Sequence, residues 1–168
     1  MTRDRDLESR TKFVPMSGID VTSANDEKPC IGTTSLCSCA GISIYDAESK
    51  VGGVAHEFFT EKETDTLFYQ LTGKIRYINT PNPFLDFKYL ARGLINKADS
   101  VGGRVYYFMA FNVEFGCRTQ DQNKQLKKVV EDTVRELQSA RKINGVEYRH
   151  ESDFVLDTRT GKIARFFI

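Results

Sequence analysis

A chain of 168 residues with 40% hydrophobic and 28% charged side chains can bury a core without help from disulfides or metal, and its composition excludes a disordered or fibrous polypeptide. Its 24 basic and 23 acidic side chains leave a formal charge of +1, which gives no global drive toward nucleic acid. No apolar stretch approaches the roughly 20 residues of a membrane span, and the opening MTRDRDLESR has no apolar signal-peptide centre, so a cytoplasmic protein with no membrane insertion is expected.

Residues 1–11 read as a mobile charged tail, followed by a single domain over 12–168. "FVPMSGIDVTSAN" reads as a short strand with a turn around Ser17-Gly18, and "NDEKP" as the loop leading to Cys30. In "AGISIYD", Ile42 and Ile44 alternate with Gly41, Ser43 and Tyr45, the period of a strand. Residues 46–50 are polar enough for a hairpin turn, and "VGGVAHEFFT" is the return strand, which places Cys39 and His56 on neighbouring strands or at their ends.

Residues 61–83 mix a short helical pattern with a Pro-Asn-Pro break and read as a long irregular connection. "PFLDFKYLARGLINKADS" carries Phe84, Leu85, Phe87, Leu90, Leu94 and Ile95 at near-helical spacing, with Gly102-Gly103 as the stop. "RVYYFMAFNVEF" is dense in β-branched and aromatic residues, as a core strand is. Over 120–141, Leu126, Val129, Val130, Val134 and Leu137 recur at three- and four-residue steps and predict a helix that Asn144-Gly145 ends. The remaining "EYRHESDFVLDTRTGKIARFFI" predicts strands closing in a hairpin at Thr160-Gly161.

Chemistry concentrates in "TTSLCSCAGISIYD", residues 33–46. The four cysteines, Cys30, Cys37, Cys39 and Cys117, lack the spacing of a secreted disulfide scaffold, so reduced thiols are expected. Cys30 and Cys117 read as buried small hydrophobes. Zinc needs about four nitrogen or sulfur ligands, and a lone Cys-x-Cys is a poor substitute for Cys-x-x-Cys, so no metal and no cofactor is expected. A Cys37–Cys39 bridge is awkward, because residues two apart on a strand lie roughly 6.6 Å apart, near the upper limit for a disulfide. On residue types alone, a Cys–His dyad and two unrelated side chains both stay open.

Spacing adds a further signal. Thr33 precedes Cys39 by six residues, Tyr45-Asp46 closes the strand that Cys39 opens, and Gly52-Gly53-Val54-Ala55-His56 puts His56 seventeen residues after Cys39. With these intervals the stretch resembles the chemoreceptor glutamine deamidases of bacterial and archaeal chemotaxis, the CheD family. "VPMSGIDVTSAN" is similar to that family's first strand, "CRTQDQNKQLKKVVEDTV" to its segment in which an asparagine, here Asn123, opens a long helix, and "FVLDTRTGKIARFFI" to its C-terminal hairpin. Cys37 stands where the family has glycine, residues 61–83 look like an insertion, and the family's Gly-Gly-Ala is missing around Val113–Gly116.

The resemblance implies an α/β fold, a layered β-sandwich-like core of mixed sheets with flanking helices. It implies Cys39 as nucleophile, His56 as its acid and base, and Thr33 as the group orienting the imidazole through its hydroxyl or backbone oxygen. Backbone N–H groups around Ser38 and Cys39 would donate to the oxyanion. Cys37 either packs in place of the glycine or serves as a resolving thiol for an oxidised Cys39. The implied activity is hydrolysis of glutamine side chains of methyl-accepting chemotaxis receptors to glutamate, and of glutamyl methyl esters by the same chemistry. Two other readings accompany it. One is a non-catalytic module docking a CheC-type chemotaxis phosphatase; the other is a toxin-like deamidase acting on a host protein.

Overall fold

The structure, a computed structural model, describes residues 5–36, 39–57, 62–64, 71–74, 77–79, 85–114 and 118–166. Along these the chain runs α1 (Arg5–Ser9), β1 (Thr11–Phe13), β2 (Ile19–Ser23), β3 (Cys30–Thr33), β4 (Ala40–Asp46), β5 (Val51–Glu57), β6 (Lys62–Thr64) and β7 (Tyr77–Asn79). It continues through α2 (Leu85–Ser100), β8 (Tyr106–Phe111), α3 (Gln120–Ser139), β9 (Ile143–Arg149), β10 (Phe154–Asp157) and β11 (Lys162–Ala164). This is a mixed α/β protein with two mixed sheets and, among the described residues, three helices.

The larger sheet has the order β2-β5-β4-β8-β9, antiparallel except for the parallel β8–β9 pair. The smaller has the order β1-β3-β10-β11, with only β1–β3 parallel. They face each other through Ile31, Leu36, Phe154 and Leu156 on one side and Val54, Met109 and Phe111 on the other. The Phe111 and Phe154 rings stack with centroids 3.7 Å apart. The opposite face of the larger sheet is covered by α2 and α3 through Ile42, Ile44, Ala55, Phe108, Leu94 and Leu126. Both faces of β4 and β5 are thus excluded from water, and all seven residues of each strand are buried.

The helices follow their sequence pattern. α2 buries Phe87, Ala91, Leu94, Ile95 and Ala98 at three- and four-residue spacing and stops before Gly102, whose φ is +102°. α3 buries Leu126, Val130, Thr133, Val134 and Leu137. Its start is Thr119, whose hydroxyl accepts from the Gln122 N–H while the Gln122 side chain accepts from the Thr119 N–H, a capping box that leaves Asn123 inside the first turn.

Several expectations are corrected. The stretch read as a mobile charged tail carries structure: α1 forms there, Leu7 packs against the cluster of Cys30, Val155 and Phe166, and the Thr11 hydroxyl donates to the Leu7 carbonyl at 2.6 Å. A single leucine among charges carries no periodicity to reveal this. Within the irregular 61–83 connection, β6 and β7 pair antiparallel, Lys62 opposite Asn79. Asn144-Gly145 does not end α3. Ala140 caps the helix, Arg141 takes the left-handed conformation at φ +56°, and Asn144 and Gly145 belong to β9. Gly145 is there because the Tyr107 ring lies across it: a Cβ would come within 2.6 Å of that ring.

Candidate active site

β3 of the small sheet and β5 of the large one bring Thr33 and His56 together in the interior between the sheets. The Thr33 hydroxyl oxygen lies 2.8 Å from His56 Nδ1 and 2.8 Å from the Val14 carbonyl oxygen, and the group is buried. A hydroxyl has one proton. Since the Val14 carbonyl can only accept, Thr33 donates to it and must accept from His56 Nδ1–H. That assigns the tautomer: neutral His56 carries its proton on Nδ1 and bears a bare lone pair on Nε2. Nε2 is buried and has no hydrogen-bond partner among the described residues.

The backbone of His56 is clamped by the turn after β1. His56 N–H donates to the Gly18 carbonyl at 3.1 Å, and Ser17 N–H, on a residue with φ +60°, donates to the His56 carbonyl at 2.8 Å. Val14 N–H in turn donates to the Gly32 carbonyl at 2.8 Å, fixing the acceptor that takes the Thr33 proton. Burial is the cause that holds the His56 pKa below the usual histidine value of 6.5, so the imidazole is neutral at physiological pH.

Cys39 immediately precedes β4 and belongs to the cluster between the sheets; it is 4% exposed and His56 3%. In the β4–β5 register Gly41 stands opposite His56, and Cys39 precedes Gly41 by two residues, just outside the ladder. Gly41 is required by the packing: a Cβ there would meet Leu36 Cδ1 at 2.9 Å, Phe154 at 3.2 Å and Phe111 at 3.3 Å. The sulfur and Nε2 are not hydrogen-bonded to each other, as the unpartnered Nε2 shows. Ser38 and Cys37 lie outside the described residues, as does Cys117. Cys30 is a fully buried thiol whose pKa is pushed up, first by burial and then by Asp157.

The other motif residues have structural duties at the far end of β4. Tyr45 donates its hydroxyl proton to the Thr158 carbonyl at 3.1 Å. Asp46 accepts from the N–H groups of Glu48 and Ser49 in the hairpin turn and of Arg104. Burial opposes its ionisation, yet the Ser49, Arg104 and Glu48 hydrogen bonds together hold its carboxyl below the usual range. His150, the second histidine, is exposed and lines a cleft of about 290 Å3 with Glu114, Lys127, Glu131 and Tyr148. Among the described residues no three His, Cys, Asp or Glu side chains gather as metal ligands.

Two groups escape sequence reasoning. The Val14 carbonyl is a backbone atom with no residue-type signature. Asn112, just past β8, is fully buried at φ +55° and donates Nδ2–H to the Leu36 carbonyl at 2.8 Å. Its only sequence signal was a polar side chain ending an apolar strand. A second cleft, of about 270 Å3, adjoins the site along Val14, Pro15 and Thr34. No protein-family model matches the chain, and no curated protein matches it. No helix among the described residues is long and apolar enough to cross a membrane.

Proposed function

We propose that this protein is a cytoplasmic amide hydrolase with a cysteine nucleophile, which converts glutamine side chains of chemotaxis receptors to glutamate and cleaves glutamyl methyl esters by the same route. The observation that carries the reading is the buried Thr33–His56 hydrogen bond of 2.8 Å, with the Thr33 proton committed to Val14. It leaves a neutral imidazole with its basic nitrogen toward the interior that also holds Cys39.

Burial of His56 sets the order of proton transfers. An imidazolium is disfavoured there, so a preformed thiolate–imidazolium pair is not the resting state. Instead Nε2 takes the Cys39 proton as the sulfur attacks the glutamine carboxamide carbon. The protonated ring, held by Thr33 through Nδ1–H, gives that proton to the departing nitrogen. Ammonia leaves and a thioester remains. Nε2 then draws a proton from water, whose oxygen attacks the thioester carbon and releases glutamate and the thiol. A neutral threonine stabilises the imidazolium less than a carboxylate does, which makes this a modest catalyst.

The test is ammonia release from helical cytoplasmic receptor fragments, with the glutamine-to-glutamate conversion located by mass spectrometry. Wild type is active and Cys39→Ala, with an unchanged melting curve, is not. An active Cys39→Ala protein overturns the reading. The burial of Cys39 and His56, 4% and 3% exposed, favours one second reading, a closed site in a module that docks a CheC-type phosphatase. Capture of that phosphatase by a wild-type protein that releases no ammonia decides for it.

A further inference from the structure

Asn112 combines three costly features. It is fully buried, a non-glycine residue at φ +55°, and its Oδ1 is buried without a hydrogen-bond partner among the described residues. The donor side of the same amide shows what these features support. Nδ2–H reaches the Leu36 carbonyl at 2.8 Å, while Leu36 N–H donates to the Ser152 carbonyl at 2.9 Å from the other side. Leu36 is therefore gripped at both polar backbone atoms, and its side chain is fully buried in the cluster that contains Cys39. It follows Ser35, whose φ is +63°, and stands three residues before Cys39.

Asn112 is itself held. Its N–H donates to the Arg149 carbonyl at 2.9 Å, prolonging the β8–β9 ladder, and its carbonyl accepts from the Arg118 guanidinium. Arg118, 6% exposed, also donates Nε–H to Asn123 Oδ1 at 3.0 Å in the first turn of α3. The frame therefore runs from helix α3 through Arg118 and Asn112 to Leu36.

We infer that Asn112 is a positioning residue for Cys39: by holding Leu36, whose side chain belongs to the same buried cluster as Cys39, it fixes the packing that seats the thiol on the His56 side of the interior. This rests on the hydrolase reading of the site. It acts through Leu36 and touches no substrate.

Alkylation by iodoacetamide tests it without a receptor substrate. The Cys39 sulfur bonds to the reagent's methylene carbon, iodide leaves, and the thiol proton passes to His56 Nε2. Labelling of each cysteine is followed by peptide mass mapping across pH 5–9 in wild type, His56→Ala and Asn112→Gly. Glycine keeps the left-handed backbone and removes only the amide. Wild-type Cys39 should gain reactivity through a midpoint below 6.5, where His56 becomes neutral. In Asn112→Gly that inflection should vanish, the rate at pH 7 should fall at least about ten-fold, and reactivity should return only near the ordinary thiol range of about 8.5. Buried Cys30 is the internal control and should stay unlabelled. A wild-type profile in Asn112→Gly while His56→Ala loses the inflection overturns the positioning role alone. Cys30 and Cys39 becoming reactive together also overturns it, since the amide then merely supports the fold. A His56→Ala profile equal to wild type overturns the Cys39–His56 pairing itself.

Discussion

The two faces of the β4–β5 hairpin are equally buried and differ in kind. Toward the helices the strands present Ala40, Ile42, Ile44, Val51 and Ala55, an apolar surface with buried Asp46 and Glu57 at its two ends. Toward the small sheet they present Gly41, Ser43, Tyr45, Val54 and His56, preceded by Cys39, and here buried polar atoms meet partners from other strands or none at all. Strand alternation puts the two kinds of surface on opposite sides of the same hairpin of two seven-residue strands. Stability and activity should therefore separate cleanly by residue parity.

The largest effect that would break this division is on the inner face. Cys39→Ala should reduce ammonia release to background with the urea midpoint unchanged. On the helix face, Ile42→Ala, at a fully buried position, should cost about 2–5 kcal/mol in urea unfolding and leave activity per folded molecule intact. Loss of activity in the folded fraction would show that the faces are coupled. Thr33→Val tests the middle ground. It leaves the Val14 carbonyl and His56 Nδ1–H unpaired, which should cost about 1–3 kcal/mol and lower kcat on the order of 100-fold with KM unchanged; Thr33→Ser should recover both.

The smallest effect is on pH dependence. The folded-state pKa of His56 lies below its unfolded value near 6.5, so between the two the unfolded chain binds more protons. Stability contributed by neutral His56 is fully present above 6.5 and is lost as pH falls through that window. Melting temperature should thus rise from pH 5 to 7 in wild type and less steeply in His56→Gln. Equal slopes would mean that His56 is not the group titrating.

Legibility followed the same division. The β4–β5 hairpin, α2 and α3 were readable because alternation and helical period are local patterns with flanking turn signals. β3 was not anticipated: "CIGT" is four residues long, and its partners β1 and β10 come from opposite ends of the sequence. The β6–β7 pairing failed to register for a similar reason, three-residue strands being too short to alternate visibly. In the candidate site, Thr33, Cys39 and His56 were singled out by type and interval, and the structure places Thr33 against His56 and Cys39 in the cluster between the sheets. Val14 and Asn112 were not, since one acts through a carbonyl and the other through a contact with Leu36 made across the fold.

The seat of Thr33 has a consequence for synthesis. β3 lies between β1 and β10, and Thr33 itself registers with Phe154, so this strand cannot be enclosed until the chain has passed through α2, β8, α3 and β9. A polypeptide emerging from the ribosome holds Cys39 and His56 early and gains the closed sheet around Thr33 only near the end. The enclosure of the proposed site is therefore completed last, and a prematurely terminated product lacking β10 would carry the thiol and the imidazole without it.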